Sequence, residues 1–168
     1  MTAMLIGCGL RRGELLGLRV DSIQSREEHW VIADLLGKAG HIRTVPIPSW
    51  VKAAIDEWKE AGCITEGALF RSINKTGRVW GTGMTPKVLV GGRPSPAKRA
   101  GIEKLAPHDL RRSCARLCHL AGELDQIQFL LGHVSIQTTE RYLGCEQKLR
   151  FAVNDRMGIE PDNPPASR

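Results

Sequence analysis

The chain has 168 residues, 42% of them hydrophobic and 25% charged, which fits one globular domain with its own core. No apolar run approaches the ~20 residues of a membrane-spanning helix, and the first residues lack the basic start of a secretory leader, so we expect a cytoplasmic protein without a membrane partner. Five scattered cysteines exclude a disulfide framework and favour a reducing compartment. The net charge of +6 favours a polyanionic partner, and residues 93–119 alone carry seven Lys or Arg against two acidic residues, 7 − 2 = +5.

The first part of the chain predicts two helices followed by a β-hairpin. An apolar helix over residues 1–8, ended by glycines, precedes a second helical pattern from Arg11 to Leu18. Strand patterns then occupy residues 30–36 and 41–47, and the glycine-flanked segment 37–40 between them predicts a tight turn.

A helix and a further strand pair follow the hairpin. Ser49 is expected to cap a helix over residues 50–61, in which apolar residues recur at helical spacing. A third strand at 69–73 is expected to turn into Val79-Trp80, so the sequence predicts a small antiparallel three-stranded sheet.

The last third of the chain predicts helices and a disordered end. Gly132 and Gly144 stand where left-handed helix caps belong. The proline-rich residues 161–168 predict a disordered tail, which leaves residues 1–160 as one domain. The fold class is therefore α+β, mainly α-helical, with C-terminal helices at 109–121, 123–131, 136–143 and 148–157.

The segment Pro107-His108-Asp109-Leu110-Arg111-Arg112 predicts an anion site at the start of a helix. Pro107 and Asp109 are typical of a helix N-terminus, whose dipole disfavours the cations Arg111 and Arg112 unless an anion is bound there. Exposed N–H groups and guanidiniums would then converge on one phosphate. A solvated basic turn is the alternative.

Other chemically capable residues lie elsewhere in the chain. Arg11 and Glu14 share a helix face, which allows Glu14 to orient Arg11. Lys38 occupies the tip of the predicted hairpin, and His133 follows the capping Gly132. Tyr142 is the single tyrosine, and a phenol needs a base or nearby cations to become a nucleophile. Each residue separately also fits an ordinary structural or surface role.

The order and spacing of these motifs resemble the catalytic domain of the tyrosine recombinase, or phage integrase, family over nearly the whole chain. The family pattern is matched by Gly-Leu-Arg-x-x-Glu at Arg11, Gly-Lys at Lys38, His-x-x-Arg at His108 and Arg111, Leu-Gly-His at His133, and Tyr142 nine residues later. The resemblance implies the family's catalytic fold, a helical domain with a small antiparallel three-stranded sheet. It also implies double-stranded DNA as partner, no cofactor or metal, and a bacterial or phage protein that associates with the nucleoid in the cytoplasm.

The resemblance also implies a role for each matched residue. Arg11 and Arg111 would bind the scissile phosphate, His108 would assist Tyr142 as a base, and His133 would hydrogen-bond the phosphate. Lys38 would protonate the departing 5′ oxygen, and Tyr142 would attack phosphorus to give a 3′-phosphotyrosine. Glu14 would support Arg11 from behind, while Arg12, Arg43 and Arg112 are expected to contact DNA.

Members of the family usually carry an N-terminal core-binding domain. The sequence does not show one, so the chain is expected to be truncated. It would then need other protomers, as a tetramer on DNA, or a partner that supplies this domain. Three alternatives stay open: a catalytically silent DNA-binding remnant of a mobile element, a type IB topoisomerase-like enzyme, and a zinc module built on Cys114, Cys118 and His119.

Overall fold

The computed structural model describes residues 1–37, 40–86, 101, 105–120 and 123–144. Lys38, the predicted helix at 148–157 and the predicted disordered tail at 161–168 lie outside the described residues.

Two short helices open the chain, as the sequence predicted. Helix α1 spans Thr2–Gly7 and helix α2 spans Arg12–Gly17. Arg11 precedes α2 in an extended conformation, and its backbone N–H donates to Glu14 Oε2 at 2.8 Å. A glutamate at the third helical position commonly closes the free N–H groups of a helix start in this way.

A three-stranded antiparallel sheet follows, in the order β1 (Ile23–Arg26), β2 (His29–Leu36) and β3 (Ile42–Pro46). The hairpin of β2 and β3 was predicted, but the third strand of the sheet was assigned wrongly. It is β1, which lies before the hairpin and exposes three of its four residues, so it lacks an apolar run that marks a strand.

The segment predicted as the third strand contributes only its last two residues to a strand. Strand β4 (Ser72–Ile73) pairs with β5 (Val79–Trp80) in a separate two-stranded sheet, so the predicted turn between them is confirmed. Leu69 and Phe70 are buried in the core, where the Leu69 N–H donates to the carbonyl of Leu18 at 2.8 Å.

Helix α3 spans Ser49–Ala61 and packs Val51 and Ile55 into the core, as its periodicity predicted. The expected cap was wrong. The helix begins at Ser49 itself, Pro48 occupies the N-cap position, and no side chain caps the helix start.

Three helices form the C-terminal part of the described chain: α4 (Pro107–His119), α5 (Leu124–Leu131) and α6 (Ile136–Leu143). Gly132 and Gly144 end α5 and α6 in left-handed conformations, which confirms the predicted caps. In the described part of the chain, none of the six helices has the length and apolarity to cross a membrane.

The buried side chains form two clusters. The larger one joins α1, α2, the three-stranded sheet and α3 around residues such as Leu10, Leu15 and Ile32. The smaller one is centred on Ala115, Ile127 and Leu131, and the ring of Tyr142 packs against it. Apolar burial therefore fixes α6, and with it Tyr142, against α4 and α5.

Candidate active site

A pocket of about 420 Å³ opens where the starts of α2 and α4 meet the turn between α5 and α6. Five of the six residues predicted to be catalytic line it, and the sixth, Lys38, lies outside the described residues. The pocket is lined by Leu10, Arg11, Arg12, Ala106, Pro107, His108, Arg111, His133 and Tyr142. Residues far apart in the sequence are thus brought to one cationic site.

Arg111 forms the buried base of this pocket, with 3% of its surface exposed. Its Nη1 donates to the carbonyl of Gly9, and its Nη2 donates to the carbonyl of Leu131 at 2.6 Å. Burial, with the charges of Arg11 and Arg43, lowers the pKa of Arg111 to about 10, which leaves it protonated at neutral pH. A guanidinium has five N–H groups, so a donor held by two carbonyls can still offer others to an anion.

Arg11 reaches the pocket from the N-cap of α2 and is held there by Glu14. Its Nη1 donates to Glu14 Oε1 at 2.9 Å, in addition to the backbone bond that caps the helix. Burial opposes ionisation of Glu14, but hydrogen bonds from Arg43 and Arg11 outweigh it and lower the pKa of this carboxyl to about 2. Glu14 is therefore ionised under ordinary conditions and can hold Arg11 in one orientation.

His133 follows the cap of α5 and lies between Arg111 and α6. Its Nδ1 is 3.0 Å from the hydroxyl of Thr139, and its Nε2 is 3.5 Å from Arg111 Nη2. Desolvation and the charges of Arg111, Arg11 and Arg43 lower the pKa of His133 to about 4, so the ring is neutral at pH 7. Since a guanidinium only donates, Nε2 is the acceptor here and Nδ1 carries the proton that Thr139 accepts.

Tyr142 stands among these groups with its hydroxyl buried and, among the described residues, without a hydrogen-bond partner. Its ring lies edge-on to His108 and to His133, with ring centroids 5.6 Å and 5.4 Å away. Burial raises the pKa of Tyr142, while the charges of Arg111, Arg112 and Arg11 act to lower it. In the described residues none of these guanidiniums forms a hydrogen bond of normal geometry with the phenol. The net rise leaves a phenol that needs a base at the moment of attack.

The three arginines expected to contact DNA fall in different places. Arg12 is exposed and lines the pocket, and exposed Arg112 has its guanidinium carbon 5.5 Å from the ring centre of Tyr142. Arg43 instead points inward, with 10% of its side chain exposed and its nitrogens bound to Glu14 and to the carbonyl of Leu130. This structure therefore gives Arg43 a position within the protein that does not suit contact with DNA.

Sequence reasoning missed Thr139 and the inward position of Arg43. Thr139 is fully buried and is the only buried uncharged polar residue of the described core. Its contact with His133 is not indicated by any pattern in the sequence. For Arg43 a signal exists: it stands two and four residues before the buried Val45 and Ile47, so along the extended chain it shares their face.

No group of three or more His, Cys, Asp or Glu residues in the described ranges is arranged to hold a metal ion. Cys114 is buried and Cys118 half-buried on the inner side of α4, where Cys118 packs against the smaller core cluster. These thiols therefore act as packing groups in this structure.

Comparison with known proteins identifies a family. The model of the phage integrase family matches residues 1–148. The chain is 34% identical over 149 residues to the tyrosine recombinase XerC of Xylella fastidiosa, covering 88% of this chain and 48% of that protein. It is 32% identical over 146 residues to the tyrosine recombinase XerC of Alcanivorax borkumensis, covering 83% and 45%. The chain thus spans about half the length of these curated relatives.

Solved structures agree in fold. The XerH site-specific recombinase bound to its difH substrate aligns with a TM-score of 0.64 and 23% identity, over 89% of this chain and 43% of that one. The Tn1549 transposon integrase in complex with circular intermediate DNA aligns with a TM-score of 0.60 and 19% identity, over 89% and 55%. Five of the six predicted catalytic residues line one pocket, and the family model matches residues 1–148 of the 168 in the chain. The chain therefore belongs to the phage integrase family of tyrosine recombinases.

Proposed function

We propose that this chain carries the DNA strand cleavage and rejoining activity of a site-specific recombinase, with Tyr142 as the nucleophile. The observation that supports this most directly is the hydroxyl of Tyr142, which is buried and has no hydrogen-bond partner within the described ranges, in a pocket that also holds His108, His133, Arg11 and Arg111. A buried hydroxyl without a partner costs free energy, and such a cost is typical of groups kept for function.

The proposed reaction is a transesterification. The Tyr142 oxygen attacks the scissile phosphorus, the bond to the 5′ oxygen breaks, and a 3′-phosphotyrosine and a 5′-hydroxyl result. His108, edge-on to the phenol, takes its proton, and Lys38, which lies outside the described residues, gives a proton to the leaving oxygen. Attack by a 5′-hydroxyl reverses each step and rejoins the strand, so the bond energy is conserved.

The arginines stabilise the charge that develops on the phosphate. Arg111 is anchored by two backbone carbonyls and Arg11 by Glu14, so both guanidiniums are oriented before the substrate arrives. Preorganised donors of this kind usually supply the largest share of such catalysis. His133, neutral at pH 7, turns Nε2 toward Arg111 in the free protein and would donate from Nε2 to the phosphate in the complex, because the Thr139 hydroxyl can either accept or donate at Nδ1.

Double-stranded DNA is the proposed partner, with Arg12, which lines the pocket, and Arg112, which lies over the ring of Tyr142, as phosphate contacts. The whole reaction would take place on the bacterial nucleoid in the cytoplasm. It would need further protomers, as a tetramer on DNA, because one active site cleaves one strand.

Covalent trapping tests the proposal. The full chain is incubated, with EDTA present, with a pool of duplexes in which random sequence flanks a nick, so that the short 3′ fragment diffuses away and the adduct accumulates. We expect a 5′-labelled strand to become linked to the protein and mass spectrometry to find the phosphate on Tyr142, the only tyrosine.

The matched control is Tyr142→Phe, which keeps the ring that packs on the smaller cluster and removes only the hydroxyl. Equal trapping by this variant, or binding without an adduct in the unmodified chain, contradicts the proposal; the second result identifies a silent DNA-binding protein. A chain that forms the adduct and relaxes a supercoiled plasmid, but never exchanges strands between duplexes, would instead be a topoisomerase.

A further inference from the structure

Arg43 makes a set of contacts that its expected role on DNA does not explain. Its Nη1 and Nη2 donate to Glu14 Oε1 and Oε2 at 2.9 Å and 3.0 Å, a bidentate pair. Its Nε donates to the carbonyl of Leu130 at 3.2 Å. All three nitrogens are therefore bound within the protein, and the side chain is 10% exposed. Such a fork needs the planar geometry of arginine.

On one side, these contacts lead to Arg11. Glu14 Oε1 accepts from both Arg43 and the Arg11 guanidinium, and Oε2 accepts from both Arg43 and the Arg11 backbone. Because the Glu14 side chain is 5% exposed, few other donors can hold its carboxylate. Arg43 thus fixes the group that orients Arg11.

On the other side, the contacts lead to His133. Leu130 lies in the last turn of α5, and Gly132, which has a φ of +61°, caps that helix just before His133. A Cβ at Gly132 would lie 2.9 Å from Arg43 Cδ, so the glycine of the Leu-Gly-His motif leaves space for this arginine. Gly37, which precedes Lys38, is similarly close, since its Cβ would lie 3.1 Å from Arg43 Nη1.

We propose that Arg43 is a positioning residue that sets Arg11 and His133 at their working separation across the pocket. Arg43 does not line the pocket and so does not touch the phosphate. It ties the start of α2 to the end of α5 from strand β3, and in the described residues Arg11 and His133 share no direct hydrogen bond. This inference rests on the proposed function.

The test compares Arg43→Lys with Arg26→Lys in the full chain. Lysine keeps the charge but cannot make the bidentate pair and the bond to Leu130 together. Arg26 is a matched control, because it lies on β1 of the same sheet, is exposed and pairs with Asp34 at 3.6 Å. Duplexes recovered by covalent trapping serve as substrate, at a temperature where circular dichroism shows both variants folded.

For Arg43→Lys we expect DNA affinity within about twofold of the unmodified chain and a single-turnover cleavage rate lower by about 10- to 100-fold, since small misplacements of catalytic groups cost about that much. For Arg26→Lys we expect neither change. The effects of Arg43→Lys and Glu14→Gln on the rate should be far from multiplicative, because the two residues act as a unit, whereas Arg26→Lys and Glu14→Gln should multiply.

A second measurement needs no DNA. In NMR spectra of the free chain, Arg43→Lys should shift both the Arg11 Nε–H signal and the His133 ring signals, and Arg26→Lys should shift neither. An unchanged cleavage rate, a loss of affinity that matches the loss of rate, or unmoved Arg11 and His133 signals overturns the inference. If the unmodified chain forms no adduct, the proposed function fails, and the NMR comparison alone decides the role of Arg43.

Discussion

The ionised carboxylate of Glu14 should contribute a pH-dependent share of the stability of the fold. Burial raises its pKa, but the hydrogen bonds from Arg43 and Arg11 lower it further, from an ordinary value of 4.5 to about 2. Each pKa unit between the folded and unfolded states corresponds to about 1.36 kcal/mol, so ionised Glu14 stabilises the fold by about 3 kcal/mol at neutral pH. Because the folded-state pKa is depressed, this contribution is complete well above pH 4.5 and is lost as the pH falls toward 2.

Urea unfolding of the unmodified chain and of Glu14→Gln between pH 7 and pH 3 measures this contribution. Glutamine resembles the protonated carboxyl of Glu14. Both proteins contain every other acidic group, so the contributions of those groups cancel in the difference between the two free energies of unfolding. The difference in the free energy of unfolding should fall from about 3 kcal/mol at pH 7 to about 1.5 kcal/mol at pH 3. A difference that stays constant over this range would contradict this prediction, because the substitution would then act through packing and not through the charge of Glu14.

Three further predictions concern residues in and near the proposed active site. Thr139→Val should destabilise the fold by about 1–3 kcal/mol in urea unfolding, because it removes the buried hydroxyl that hydrogen-bonds Nδ1 of the half-buried His133, while Thr139→Ser should cost less. An NMR titration of His133 should give a pKa well below 6.5, near 4, and added sulfate should raise it by offsetting the arginine charges; a pKa near 6.5 would contradict the geometry. Gly132→Ala should destabilise the fold, since it combines a positive φ with a collision at Arg43. Gly144→Ala, which has a positive φ but meets no atom of the described residues within 4 Å, should cost less in the same unfolding assay.

Much of the fold was accessible from local signals. Periodicity located α3, α5 and α6 to within about a residue, and the glycines after α5 and α6 marked their ends because few other residues adopt a left-handed cap. Strand β1 was missed because local signals are weak there: three of its four residues are exposed and carry little strand signal. Its position depends instead on pairing with β2, where Ile23 lies opposite Ile32.

The candidate site was accessible because its residues stand at helix ends. Arg11 is the N-cap of α2, Arg111 lies near the start of α4, His133 follows the cap of α5, and Tyr142 lies near the end of α6. Helix ends are marked in a sequence by prolines, glycines and acidic residues, so the same signals that delimit the helices also locate these side chains. All four line one pocket. The catalytic roles that the motif order implies for them stay predictions.

The groups that hold those side chains in place could not be predicted in this way, because most of their partners are backbone carbonyls. Arg111 is anchored by the carbonyls of Gly9, 102 residues away, and Leu131, and Arg43 by the carbonyl of Leu130, 87 residues away. Every residue has a carbonyl, so no residue type announces such a contact, and only the packing of α1 and α5 against α4 decides which carbonyls are in reach. The two-residue spacing of Arg43, Val45 and Ile47 predicts that this arginine points inward with them, but not what it binds. Local sequence patterns thus indicate which side chains belong to the candidate site. Their relative placement depends on contacts that exist only once the helices have packed.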